Sequence, residues 1–309
     1  MEQAHNQRKR TSHTQNRQHT KARRRALRRE VPSTVGLLAD EQDFAAMTGY
    51  RTFAFDDHPT YLQQIDDLLK TLAAQGLHTS VTLFDPEEFG EFCTAAGLDP
   101  DRPETRARFT AHTAARGVCV PYTGQRVDAL VPVLINEAVR QATWDCATLL
   151  LTDLGNCAEC GEDIGREAFE RSSHLLVGLL KGAGTGIHHL VCSVPADEEQ
   201  LLAVLHAETG DDAAPELQDD EGAEFVTVLA AGIALGSPGG VVLRTSREGE
   251  PDRVHGWRLD HGGLAALTAA EVFNAYCTDA ETGEPVAPEP GVDYCAGYPI
   301  TDISGGPGH

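Results

Sequence analysis

The chain has 309 residues, 41% of them apolar and 23% charged, which reads as a soluble globular protein with room for one large domain or two ordinary ones. No apolar run approaches the ~20 residues of a membrane-spanning helix, so membrane partners are not expected. The formal charge of −22 is unequally divided: residues 1–29 hold ten of the 25 Lys and Arg with one acid, a formal +9, leaving 15 basic and 46 acidic residues and −31 for the rest.

A body this acidic repels nucleic acid and acidic membranes, so affinity for a polyanion has to come from the arm. Residues 1–32 are expected to form a basic disordered arm, because they offer almost nothing to bury. Its cations are Arg8, Lys9, Arg10, Arg17, Lys21, Arg23, Arg24, Arg25, Arg28 and Arg29. No aromatic residue occurs in the first 29, so the arm brings charge without stacking on bases. The alternative is an ordinary solvated basic tail, or one that folds back on its own acidic body. The apolar stretch after the arm, residues 31–39, is short and carries Pro32, unlike a secretory signal. Eight cysteines scattered from Cys93 to Cys295 do not make a secreted disulfide scaffold and point to a reducing cytoplasm.

The body, 33–309, opens on a strand–helix–strand reading. Arg51–Phe55 is expected as a strand and Tyr61, Leu62, Ile65, Leu68, Leu69 and Leu72 as one helical face. Gly76 stops that helix and Leu77–Phe84 is the second strand, an arrangement that suits a parallel crossover. Asp85-Pro86-Glu87-Glu88 signals the start of a helix ending near Gly97. A helix over Glu104–Arg116, a strand over Gly117–Tyr122 and a long helix over Asp128–Asp153 follow. The long helix is expected to turn Leu130, Leu134, Ile135, Ala138, Val139 and Ala142 inward.

Further on, the pattern predicts a helix at Asp163–Lys181, a strand at Ile187–Val194 and a helix at Ala196–Glu208. The glycines at 182, 184 and 186 end a helix and lead into a strand, the reverse of a dinucleotide fingerprint. Residues 207–222 carry seven acids and no base and are read as a mobile loop and a lobe boundary. A buried helix at Glu224–Leu235, a hairpin of Gly240–Ser246 with Arg253–Asp260, a capping box of Thr268 with Glu271, and an edge strand in Val292–Ile300 complete the chain. The expected fold is α/β, a mostly parallel sheet of five or six strands with helices on both faces and a C-terminal hairpin.

Three constellations could carry chemistry. Asp56, Asp57 and His58 follow the first expected strand, where a carboxylate edge can hold Mg²⁺ or Mn²⁺, or where Asp56 and His58 can act as catalytic groups. The same residues read equally as the N-cap of a helix beginning at Pro59, with Asp56 exposed, and Asp85 reads as a cap. Cys157-Ala-Glu-Cys160-Gly161 is half of a Zn²⁺ site. Of the downstream strand, His188 and Cys192 share a face and could complete it, and a redox dithiol is the other use of the pair. A Ser–His–Asp triad has no Gly-x-Ser-x-Gly elbow to anchor it.

The function read from these features is an acidic α/β binding or regulatory protein tethered to a polyanionic partner by its basic arm. The competing readings are a metal-dependent hydrolase or transferase of a small phosphorylated or acyl substrate at Asp56–His58, and a structural zinc adaptor built on Cys157 and Cys160.

Overall fold

The computed structural model describes residues 33–196, 199–210, 214–217, 219–260, 263–279 and 282–300. The arm and its ten cations therefore lie outside the described residues, as does His261. Two compact units divide between Gln141 and Ala142. The division falls inside a helix, and the acidic segment 207–222 belongs to the second unit.

In the first unit, strand β1 is Ser33–Leu37, followed by helices α1 (Glu41–Met47) and α2 (His58–Ala74), strand β2 (Thr79–Leu83), helices α3 (Pro86–Ala96) and α4 (Pro103–Ala114), and strand β3 (Val120–Pro121). The sheet order is β1-β2-β3, with β1 and β2 parallel from Ser33↔Thr79 to Leu37↔Leu83 and β3 antiparallel to β2. The parallel partner of β2 is thus Ser33–Leu37 and not Arg51–Phe55. That stretch turns instead: Tyr50 N–H donates to the Met47 carbonyl and Phe53 N–H to that of Tyr50. Phe53 and Phe55 spend their rings on a side-chain cluster.

The helix boundaries follow local chemistry. Asp40, Asp57 and Asp85 cap α1, α2 and α3, accepting backbone N–H bonds from Asp43, Thr60, and Glu87 with Glu88. Gly97, at φ 62°, closes α3 in the left-handed region that glycine enters without strain. Helix α5 (Val127–Asp153) carries the chain across the division. Its Leu130 and Leu134 are fully buried in the first core, whereas Ile135 and Val139 are 44% and 59% exposed. The inward stripe is narrower than the apolar periodicity implies.

The second unit contains α6 (Ile164–Ala183), β4 (Gly186–Ala196), β5 (Glu199–Thr209), β6 (Glu216–Leu217), α7 (Asp219–Leu235), β7 (Gly240–Ser246), β8 (Asp252–Asp260), β9 (Gly263–Ala266), α8 (Ala269–Tyr276) and β10 (Val292–Tyr294). Its sheet runs β10-β8-β7-β4-β5-β6, with β9 also on β8. All its pairings are antiparallel except β10 with β8. The expected mostly parallel sheet of five or six strands is therefore replaced by two mixed sheets of three and seven strands among the described residues. Short connections joining β4 to β5 and β7 to β8 permit only antiparallel pairing, and the second of these is the expected C-terminal hairpin.

Where a helix over Ala196–Glu208 was expected, Ala196 ends β4 and Glu199–Thr209 is strand β5. Leu201, Ala203, Leu205 and Ala207 are buried and Leu202, His206 and Glu208 exposed, a period of two matched residue for residue to β4. Ala, Leu and Glu favour a helix locally, but eleven pairs along β4 outweigh a propensity worth a few tenths of a kcal/mol per residue. Helices α6 and α7 pack together on the face carrying Leu190, Cys192, Leu205, Leu243 and Trp257. The acidic segment is tied down where it is described: Glu216 and Leu217 pair with β5, and Glu221 accepts from the His206 backbone N–H at 2.8 Å.

Candidate functional site

In the first unit β1 and β2 are parallel and end side by side, at the edge where open α/β sheets bind ligands. Helix α2 is bolted to the end of β1: the Leu38 N–H donates to the Tyr61 hydroxyl at 3.1 Å, and the His58 ring donates from Nε2 to the Leu38 carbonyl at 3.2 Å. Burial pushes the Tyr61 phenol up to about 12, so it remains a neutral hydroxyl that accepts from Leu38. Helix α4 crosses so close to β1 that a Cβ on Gly36 would lie 2.7 Å from Thr110 Oγ1 and 3.0 Å from the Phe84 ring. Only glycine fits there.

Between these elements lies a cavity of ≈ 380 Å³, within the range of small-molecule sites. Phe53, Phe55, Tyr61 and Phe84 supply aromatic walls, with Phe53–Phe55 and Phe55–Tyr61 ring centroids 4.7 and 5.1 Å apart. Leu38, Met47 and Ile65 add aliphatic surface. The polar side chains are Thr52, Arg106 and Thr110. Arg106 is half-buried; its Nη1 donates to Thr52 Oγ1 at 2.9 Å and its Nη2 to the Thr52 carbonyl at 3.1 Å. The loop carrying Thr52 is in turn held by Asp101, which accepts the Thr52 N–H at 2.8 Å and pairs with Arg51 at 3.0 Å. Those partners, the Thr52 N–H first, hold the Asp101 carboxyl below the usual range. Among the described residues no carboxylate pairs with Arg106.

The expected strand-end acids fall just outside this cavity. Asp57 caps α2, its Oδ1 accepting the Thr60 N–H at 2.7 Å, which holds the carboxyl below its usual range. Asp56 is exposed and does not line the cavity. His58 is buried beside Phe44 and Tyr61 and occupied by the Leu38 carbonyl. Asp85 is a cap as well, accepting from Glu87 and Glu88 at 2.7 and 3.0 Å. Asp56 and His58 were expected at the end of a strand Arg51–Phe55 that does not form, and Arg106, which lines the cavity, was not among the expected site residues. A lone arginine on an amphipathic helix carries no signal of its own.

The four expected metal ligands do not converge. Cys157 and Cys160 sit in the turn between α5 and α6, half-buried and exposed respectively. His188 and Cys192 do share a face, but it is the core face under the helices. His188 places Nε2 3.0 Å from the Gly184 carbonyl and Nδ1 3.1 Å from Thr245 Oγ1, so both nitrogens are used. Burial pushes the Cys192 thiol up to about 12. Among the described residues no three His, Cys, Asp or Glu side chains are placed to hold one metal ion, and no helix is long and apolar enough to cross a membrane.

Comparison with known proteins bears on the first unit. The model of a family described as a domain of unknown function (DUF8829) matches residues 22–125, about a third of the chain. The matched stretch contains every residue lining the cavity, from Gly36 to Thr110. No curated protein and no solved structure matches the chain.

Proposed function

We propose that the chain is a binding protein whose first unit holds a small, largely apolar molecule bearing an acidic group. The observation that carries this reading is Arg106, a guanidinium with no carboxylate partner among the described residues, set on an aromatic cavity at the carboxyl edge of two parallel strands. An arginine presented this way favours a carboxylate or phosphate, with the aromatic walls taking the rest of the ligand. The neighbouring Asp57 and Asp85 already serve as helix caps, which favours binding over acid–base chemistry at this edge. The ten cations of the arm, outside the described residues, remain the feature suited to tether the protein to a polyanion.

Fluorescence titration with 1-naphthoic acid and its neutral analogue 1-naphthalenemethanol tests the pocket. The acid should bind, and Arg106→Gln should weaken it about tenfold or more, the worth of a hydrogen bond to a charged group, while leaving the alcohol unchanged. Ala107 is exposed and lines the cavity, so Ala107→Trp should block both probes with little change in melting temperature. Binding of both probes undiminished by either substitution would overturn the reading.

The arm is tested separately. Removing residues 1–29 should leave the melting temperature unchanged and abolish salt-sensitive retention on heparin, because it removes a formal +9. Equal retention of the truncated protein contradicts the tether.

A further inference from the structure

Thr71, Thr94, Thr152 and Thr227 each turn the hydroxyl back on their own helix, donating to the carbonyl four residues earlier at 2.8, 2.9, 2.7 and 2.8 Å. That is the ordinary local use of a threonine inside a helix. Thr110 on α4 does otherwise. It is 9% exposed and lines the cavity of the first unit. Its Oγ1 lies over Gly36, 2.7 Å from where a Cβ at that position would stand. Among the described residues that hydroxyl has no hydrogen-bond partner, and a buried polar group left so calls for one.

Arg106 stands one turn earlier on α4 and lines the same cavity. Side chains four residues apart on a helix are neighbours, their Cβ atoms about 5–6 Å apart. Of the five N–H groups of a guanidinium, two are used on Thr52. Thr52 is itself engaged, its hydroxyl donating to the Asp101 carbonyl at 3.1 Å, and the Tyr61 hydroxyl accepts from Leu38. What the polar side chains leave over is a set of donors: the other N–H groups of Arg106 and the O–H of Thr110. A group that only accepts matches them, and an ionised carboxylate is such a group.

Charge separates a carboxylate from a phosphate. Arg51 and Asp101 pair at 3.0 Å and offset each other, which leaves Arg106 as the one cation among the lining residues without an acid. A carboxylate brings a single negative charge, whereas a phosphate monoester brings about −1.5 to −2 at neutral pH. Phosphate sites also draw on the free N–H groups of helix N-termini. At this edge those groups are already occupied, Thr60 by Asp57 and Glu87 with Glu88 by Asp85.

We propose that the cavity takes a monocarboxylic acid with an apolar ring-sized body, its carboxylate held jointly by Arg106 and the Thr110 hydroxyl, and discriminates against phosphate esters. This rests on the binding reading above and narrows it.

The test uses the full chain and four probes sharing one ring system: 1-naphthoic acid, 1-naphthamide, 1-naphthyl phosphate and 1-naphthalenemethanol, each followed by fluorescence titration. The wild type should bind the acid about tenfold or more tighter than the amide or the phosphate. Thr110→Val should weaken the acid about tenfold, the worth of a hydrogen bond to a charged group, and affect the alcohol far less. It should leave the melting temperature of the unliganded protein unchanged, since it removes no bond within the chain. Thr110→Ser keeps the hydroxyl and should bind the acid as the wild type does. Acid binding that Arg106→Gln weakens and Thr110→Val does not, or phosphate bound as tightly as the acid, would overturn the carboxylate assignment and leave the cavity reading standing. A fall in melting temperature for Thr110→Val that Thr110→Ser does not share would give the hydroxyl a structural role and overturn it too. Acid binding that neither Arg106→Gln nor Thr110→Val moves, or no binding of any probe, would overturn both.

Discussion

Trp257→Ala should destabilise the second unit by about 3–5 kcal/mol, the range for deleting a large buried aromatic side chain. Trp257 is 1% exposed at the centre of β8, paired with Val241 of β7 and Ala266 of β9. Its ring stands edge-on to Tyr298 at 4.9 Å, and its Nε1–H donates to the Tyr298 carbonyl at 2.9 Å. The substitution leaves a cavity in the core beneath α6 and α7 and a carbonyl without its donor. Trp257→Phe restores a ring but not the N–H and should cost less, about 1–2 kcal/mol. Calorimetry should show the effect while naphthoate binding in the first unit at 25 °C is retained, since Trp257 belongs to the other compact unit. A loss below about 1 kcal/mol for the alanine variant would contradict this account of the core.

Stability should also fall as pH drops below about 6.5, the ordinary value of an unfolded imidazole, before the carboxylates respond. His188 is fully buried, and burial first, then the nearby Arg247 charge, lowers its folded value, with the Gly184 carbonyl opposing. His189 is lowered by burial, by His206 stacked at 4.6 Å and by Arg244, against an opposing contribution from Glu221. Both rings therefore take up protons in the unfolded chain at a pH where the folded chain refuses them. The unfolded state binds more protons, so stability declines with falling pH.

Asp57, Asp101 and Asp252 are held below their usual range. Their contribution is present above about pH 4 and is lost only as pH falls through their lower folded values. The interval from about 6.5 to 4.5 thus belongs to the histidines. Urea midpoints across it should give a slope that His188→Gln reduces by up to about 1.4 kcal/mol per pH unit, the limit for one proton. An unchanged slope in the variant would remove His188 from the explanation.

Helix ends and turns were legible from residues a few positions apart. Asp85-Pro86-Glu87-Glu88 starts α3 with its carboxylate on the next two N–H groups, and Thr268 with Glu271 forms both bonds of a capping box on α8. The Gly240–Ser246 and Arg253–Asp260 hairpin was legible because its strands alternate and its turn is short. The cavity was not legible in the sequence: none of Asp56, Asp57 and His58 lines it. The site reading rested on Asp56–His58 after an expected strand Arg51–Phe55, yet that stretch is a loop, Asp57 and Asp85 are caps, and the cavity is lined in part by that loop and by α4.

What the sequence determined by itself is what closes within one helical turn or one hairpin: caps, glycine stops, the long α5 and the unequal charge. The tertiary structure alone decided which strand pairs with β2, because Ser33–Leu37 and Arg51–Phe55 are both short apolar runs and only one has a free ladder beside it. It turned Glu199–Thr209 into a strand, because β4 offered a full edge that outweighed the helical propensity of Ala, Leu and Glu. It made the cavity, because Gly36, Thr52, Phe84 and Arg106 meet only once α4 has crossed β1. Contacts of that range cost chain entropy before they return any energy, so no local pattern encodes them and the whole core has to select them together.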